Sequence, residues 1–275
     1  MTVPSPQDSD SPPALFRLVG LRKRFHRLEV LRGIDLDFPR GQTTVVMGPS
    51  GCGKSVMLKH LIGLLRPDEG EVWFDGRRID RLRESGLGPI RRRIGFLFQQ
   101  SALFDSMSVG DNVGFPLREH TDLDVTERRT RVERMLHMVG VPGTHDTDPA
   151  TLSGGQRKRV ALARAIVLEP SVILYDEPTT GLDPIRSDII GELIQRLQRA
   201  LNLTSIVVTH DIQLSFRIAD RMVLLHEGQI RSTGTPGDFR RNDDVEVRRF
   251  LEGRATPEEL AGLDPQSAAA EETRS

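Results

Sequence analysis

The chain has 275 residues, a formal net charge of −1 and a single cysteine. That length supports one large domain or a domain with a lobe. A pI near 6.7 leaves no electrostatic footprint for nucleic acid, and one cysteine excludes an internal disulfide and fits a reducing compartment. No apolar run approaches the length needed to cross a bilayer, and the N-terminus lacks an apolar signal region. A soluble chain is expected, with any membrane role coming through a partner.

Residues 1–14 are rich in Pro, Ser and Asp with little to bury, and are expected to be disordered. Phe16 to Val19 and Leu31 to Phe38 read as strands, the second alternating Ile34, Leu36 and Phe38 with Asp35 and Asp37. Phe25 lies between them, where it either packs into a core or offers a flat apolar face to a base. Thr43 to Met47 is a β-branched strand candidate, and Ser55 to Leu65 reads as a helix. Gly70 to Gly76 is a short strand closing at a turn. Residues 77–93 carry seven arginines against Asp80 and Glu84; they read as a solvated face, with anionic headgroups or a partner as the alternative. Ile94 to Phe98 is a buried strand that delivers Gln99.

Residues 102–150 interrupt the alternation of strands and helices. Thr126 to Val139 is amphipathic, with arginines on one face and Val132, Met135, Leu136 and Val139 on another. A helical lobe inserted over about 102–168 is therefore expected. A helix opens at Leu152 to Gln156 and runs to about Leu168. The strand Val172 to Tyr175 follows, then a helix from Pro184 to Leu201 and the strand Ser205 to Val208. Strands Arg221 to His226 and Gln229 to Ser232 flank a Glu227-Gly228 turn, and short helices fill 236–251. The tail 252–275 holds six acids and two arginines and is expected to be loosely ordered.

Chemistry concentrates between a strand and a helix, at Gly48-Pro49-Ser50-Gly51-Cys52-Gly53-Lys54-Ser55. This spacing makes a phosphate-binding loop. Its glycines let backbone N–H groups converge, Lys54 reaches the β- and γ-phosphates, and the Ser55 hydroxyl is placed for Mg²⁺. The phosphates would sit at a helix N-terminus, where free N–H groups favour anions. Asp176 and Glu177 follow a buried strand, where open α/β sheets bind ligands. Asp176 is placed to hold Mg²⁺. Glu177 is placed to polarise an attacking water, unless the pair merely caps a helix.

These motifs, with Gln99, Leu152-Ser153-Gly154-Gly155-Gln156, Gly181-Leu182-Asp183 and His210, resemble the ATP-binding cassette ATPases over about residues 15–235. The resemblance implies an α/β fold: a phosphate-loop core with a mainly parallel sheet, an antiparallel β portion and an inserted helical lobe, together spanning about 15–251. It implies that Phe25 stacks on adenine and that Gln99 touches metal and water and links core to lobe. It also implies that Asp183 crosses a dimer and that His210 contacts the γ-phosphate. Ser153, Gly154 and Gly155 form a second anion site at a helix start. In a head-to-tail pair that site would cap the ATP held by the other copy. The stretch Phe98 to Val109, with Asn112-Val113 and Pro116 to His120, resembles cassettes of Mla-type and Mce-associated phospholipid systems. So does Phe250 to Gly253, whereas the tail beyond departs from that pattern. The expected function is an ATPase that powers a membrane permease for phospholipid or another hydrophobic solute. A cassette for polar solutes such as amino acids, or a non-transport member, is the alternative. Leu103, Phe104, Met107 and Val109 are expected either to pack in the lobe or to form a groove for a permease helix.

Overall fold

The computed structural model describes residues 13–254, so the expectations of disorder over 1–14 and of a loose tail lie almost wholly outside the described residues. Strands β1 (Ala14–Phe25), β2 (Leu28–Pro39), β4 (Glu69–Phe74) and β5 (Arg77–Arg78) form an antiparallel sheet in the order β2-β1-β4-β5. A second sheet joins β3 (Thr43–Met47), β6 (Ile94–Leu97), β7 (Val172–Asp176), β8 (Thr204–Thr209), β9 (Arg221–His226) and β10 (Gln229–Gly234). Its order is β10-β9-β3-β8-β7-β6, parallel except for β10. The fold is the α/β arrangement expected, a mainly parallel sheet with an antiparallel portion.

Strands β3, β7 and β8 are buried throughout. Both of their faces are covered, so they read as near-continuous apolar runs. Period-two alternation divides the core. Val45 and Met47 point to one side with Ile173, Tyr175 and Val207, and Val46 points to the other with Leu174, Ile206 and Val208. The antiparallel sheet and helix α1 (Lys54–Leu61) cover the second side. The first side carries α3 (Val109–His120), α4 (Val125–Met138), α5 (Gly154–Ile166) and α6 (Pro184–Leu201). Helix α2 (Glu84–Arg91) precedes β6, α7 (Ile212–Ile218) follows β8, and α8 (Pro236–Arg240) and α9 (Val245–Glu252) close the described chain.

Several elements depart from the sequence reading. Helix α1 stops at Leu61, short of Leu65. Helices α2, α3 and α7 are additional. Gly86, Gly88 and Pro89 interrupt α2, and Gly110, Gly114 and Pro116 interrupt α3, so neither offers a clean helical signal. Burial overrides propensity in α3: Val109, Asn112, Val113 and Leu117 face the core, and Ser108 caps the start by accepting from the Asp111 amide. Val109 is fully buried, so it packs in the lobe and contributes nothing to a surface groove. In the arginine-rich segment, Arg78 pairs with Glu71 and Asp80, Arg91 with Glu84, and Arg93 with Asp75. Arg77, Arg81, Arg83 and Arg92 are exposed.

Candidate functional site: a nucleotide site at the ends of three parallel strands

Strands β3, β7 and β8 end side by side, and each delivers one part of the site. After β3 the chain turns back sharply. Gly48 is required there, because a Cβ would lie 2.2 Å from the Leu225 carbonyl oxygen. At Gly53, φ is +106° and a Cβ would lie 2.8 Å from the Leu31 Cδ2, so the start of α1 can seat only against β2 without a side chain. The loop folds around its own lysine. Lys54 Nζ donates to the carbonyls of Gly48 at 2.8 Å and Pro49 at 2.9 Å. Cys52 stands in the same loop, partly buried, and that burial pushes its thiol up despite the nearby Lys54 charge.

The last residue of β7 is Asp176. Its Oδ1 accepts from the Ser55 hydroxyl at 2.7 Å. Burial raises the Asp176 carboxyl above the ordinary carboxylate range; the Ser55 hydrogen bond opposes this and the neighbouring Glu177 charge adds to it. Glu177 takes a left-handed backbone, φ +49°, with its amide bonded to the Val208 carbonyl at the end of β8. A non-glycine residue there is strained, and such strain concentrates at functional sites. The geometry aims the carboxylate back over the loop. Oε1 lies 3.7 Å from Lys54 Nζ, and Oε2 lies 2.9 Å from His210 Nδ1. The Thr180 hydroxyl donates to Oε2 at 3.5 Å.

Ser55 and Asp176 fit a magnesium ion. Both present hard oxygen donors on one spot, and among the described residues no group of three or more His, Cys, Asp or Glu could hold a metal. Magnesium commonly takes one or two protein oxygens, waters and substrate phosphates, so this sparse set suits it.

The structure thus brings Gly48 to Ser55, Asp176, Glu177 and His210 together. The other predicted residues stand apart. Phe25 ends β1 and is 38% exposed, with Lys23 Nζ 5.6 Å from its ring centroid. Val30 on the adjoining strand abuts Gly53, so this hairpin borders the loop. Gln99 is exposed, and its carbonyl accepts from Lys158 Nζ at 3.1 Å. Ser153 caps α5 in a capping box: its hydroxyl accepts from the Gln156 amide while Gln156 Oε1 accepts from the Ser153 amide. Gly154 and Gly155 are left at the helix start with amides that the box does not use. Leu182 lies beside Gly154, so the 181–183 turn neighbours the α5 start. Asp183 caps α6 by accepting from the Arg186 amide.

Lys158 and Arg164 escape the sequence reading. Lys158 sits in an Arg157-Lys158-Arg159 run that reads as surface, yet it is buried. Its helical phase gives it away, because Gly155 three residues before and Leu162 four residues after are both buried. Among the described residues no helix is long and apolar enough to cross a membrane.

The ABC transporter family model matches residues 31–180. The intermembrane phospholipid transport ATP-binding protein MlaF of Haemophilus influenzae is 45% identical over 222 residues, covering 81% of this chain and 84% of that protein. A probable ribonucleotide transport ATP-binding protein of Mycobacterium leprae, mkl, is 42% identical over 235 residues, 86% of this chain and 68% of that one. A solved ATP-binding cassette, dimeric in a post-hydrolysis state with ADP and phosphate, superimposes with a TM-score of 0.74 at 34% identity. It covers 80% of this chain and 98% of that one.

Proposed function

Because the chain belongs to the ABC transporter family and is its ATP-binding, ATP-hydrolysing subunit, we propose that it powers the movement of phospholipid through a partner permease. The observation that carries the catalytic part is the Glu177 carboxylate held between Lys54 and His210 at the strand ends. Lys54 exchanges its two loop carbonyls for the β- and γ-phosphates. Glu177 orients a water for in-line attack on the γ-phosphorus and takes its proton as the bond to the β-phosphate oxygen breaks. His210, already on Glu177, contacts the same phosphate. Ser55 and Asp176 would hold a magnesium ion, with Gln99 reaching it once the linker brings it in, and the ion would neutralise phosphate charge. Phe25 stacks on the base.

Hydrolysis needs a second copy. The amides of Gly154 and Gly155 stand at the α5 start, with Ser153 and Gln156 beside them. They cap the γ-phosphate held by a head-to-tail partner, and Asp183 crosses the same interface. The dimeric relative supports this arrangement. A groove of about 630 Å³, lined by Phe96, Phe98, Phe104, Phe115, Arg164 and Leu168, takes a helix of the permease. That contact holds the chain at the cytoplasmic face of the inner membrane, in a complex that includes Mce-domain lipid carriers.

The phospholipid assignment rests on the MlaF relatives, whereas the mycobacterial relative's name supports a ribonucleotide. Reconstitution with the permease in phospholipid vesicles separates them. ATP-dependent transfer of labelled lipid to an acceptor, absent in Glu177→Gln, is the expected result. Nucleotide or amino-acid uptake without lipid transfer would overturn the assignment and leave the ATPase intact.

A further inference from the structure

The segment 99–102 joins β6 to the helical lobe, and its backbone is strained. Ser101 and Ala102, neither a glycine, both take left-handed conformations, φ +64° and +48°. Isolated left-handed residues are ordinary; two in succession need outside support. Internal bonds supply a little of it, from the Ser101 amide to the Phe98 carbonyl and from the Ala102 amide to the Gln100 carbonyl.

The rest comes from one helix. On α5, Lys158 Nζ donates to the Gln99 carbonyl at 3.1 Å. Arg164 Nη2 donates to the Ser101 carbonyl at 3.0 Å, and Nη1 to the Ala102 carbonyl at 2.9 Å. Three carbonyls of a four-residue linker are therefore held by two cations of the helix that begins at Ser153. Lys158 is buried, with only 5% exposure, and this is the one hydrogen bond described for it. Burial works against the charge of this ammonium and the Glu177 carboxylate favours it only in part, so the side chain costs stability, and an apolar one of similar volume would serve the fold better. Its retention points to a role other than holding the lobe together. Arg164 also lies over the Phe104 ring, 5.6 Å from its centroid, and both line the phenylalanine groove.

We propose that Lys158 and Arg164 are positioning residues that clasp the 99–102 linker onto α5, so that Gln99 and the Ser153 helix start move as one body when the groove is occupied. This rests on the reading of Gln99 and Ser153 as nucleotide-site residues. The clasp makes the lobe deliver both groups together.

The test uses the full chain assembled with its permease, and compares Lys158→Met, which removes the donor, with Lys158→Gln, which keeps an N–H for the Gln99 carbonyl. For Lys158→Met, kcat should fall about fivefold or more while the KM for ATP stays within about twofold. Its Tm should be equal to or above wild type, because a buried charge has been removed. Amide hydrogen exchange over 98–104 should quicken. Lys158→Gln should recover most of both losses. Arg164→Lys, which keeps the charge and loses the fork, should quicken exchange over the same amides and so provides the reading if Lys158→Met does not fold.

Wild-type kcat and exchange in Lys158→Met would overturn the clasp. So would a fall in Tm that tracks the fall in kcat, or equal losses in the Met and Gln variants, since either makes Lys158 scaffold. These failures are distinct from failure of the nucleotide site. Wild-type ATPase abolished by Glu177→Gln upholds that site whatever Lys158→Met does.

Discussion

The two ends of the Gln99 linker are built by different means. On the core side, functional groups sit one after another in short motifs at strand ends: Lys54 and Ser55 after β3, Asp176 and Glu177 after β7, His210 after β8. Parallel pairing of β3 with β8 and of β8 with β7 sets their separations, and the Ser55–Asp176 and Glu177–His210 contacts join the strand ends. On the lobe side, side chains hold bare backbone, two of them from about 60 residues away and one from within its own neighbourhood. Lys158 and Arg164 hold residues 99–102, and Asn112 holds residues 104–108. Register positions the strand-end groups, whereas side-chain hydrogen bonds to backbone position the linker and the residues that follow it. The first arrangement is set in a buried parallel sheet. The second can be released by losing a few hydrogen bonds.

The sharpest way to break this contrast is to damage one side and look for an effect on the other. Glu177→Gln keeps the shape but loses the charge, one acceptor oxygen and proton acceptance. Turnover should fall by about 10²–10⁴-fold, with ATP affinity largely unchanged, as read by single-turnover hydrolysis beside equilibrium nucleotide binding. Retained turnover would move the base elsewhere. Phe104→Asp should do the reverse. Phe104 is 42% exposed in the groove, stacked near Phe115 and under Arg164. A carboxylate there should weaken permease association by about 100-fold, roughly 3 kcal/mol, a loss typical of a buried aromatic anchor. Nucleotide binding by the free chain should be preserved. Unfolding of the free chain would instead make Phe104 part of the lobe core.

This division also explains what was legible in the sequence. The core could be read because each of its functional groups lies in a contiguous motif bounded by an apolar run. The helix Pro184–Leu201 likewise matches its sequence signal, with Asp183 as cap, Pro184 next and a left-handed Asn202 at the end. The lobe was harder. Pro116 and two glycines hid α3, although burial of Val109, Val113 and Leu117 more than offsets their poor propensity. Lys158 was hidden among arginines. Asn112 entered the sequence reading only as part of a family resemblance, and the folded chain shows it fully buried. A single sequence carries no direct record of a hydrogen bond to a carbonyl, because every residue has one.

Asn112 gives an intermediate test on the lobe side. Its Oδ1 accepts from the Phe104 amide at 2.8 Å. Its Nδ2 donates to the carbonyls of Phe104, Met107 and Ser108 at 3.0, 3.2 and 3.0 Å. Asn112→Ala removes the acceptor of the Phe104 amide and the donor to the Met107 carbonyl, while the Phe104 and Ser108 carbonyls keep backbone donors, at a cost of roughly 2 kcal/mol. Urea unfolding should show this loss, and hydrogen exchange should place it in residues 103–113. Affinity for ATP at the core should change little. If protection falls equally in β3 and β7, the lobe and core unfold as one unit and the contrast fails.

The smallest expected effect lies behind the phosphate loop itself. His60 is buried on α1, six residues after Lys54. Its Nδ1 donates to the Val56 carbonyl at 2.8 Å, and its buried Nε2 has no hydrogen-bond partner. Burial lowers its pKa below the ordinary value of 6.5; the Val56 carbonyl opposes this, Lys23 lowers it further, and the Arg66 carbonyl and Asp68 push it up. The folded chain therefore holds His60 neutral at a pH where the unfolded chain already takes up the proton. This stability is present in full above about pH 6.5. It is lost as pH falls from there through the lower folded value, with a slope of at most about 1.4 kcal/mol per pH unit. His60→Gln removes the titration. The difference in unfolding free energy between wild type and variant should change with pH below about 6.5 and be flat above it. Because α1 starts at Lys54, the loss should appear as faster exchange in α1, with the lobe helices unaffected. A difference that is flat throughout, or one that falls in α3 to α5, would mean that the core is not the self-contained unit its strand register implies.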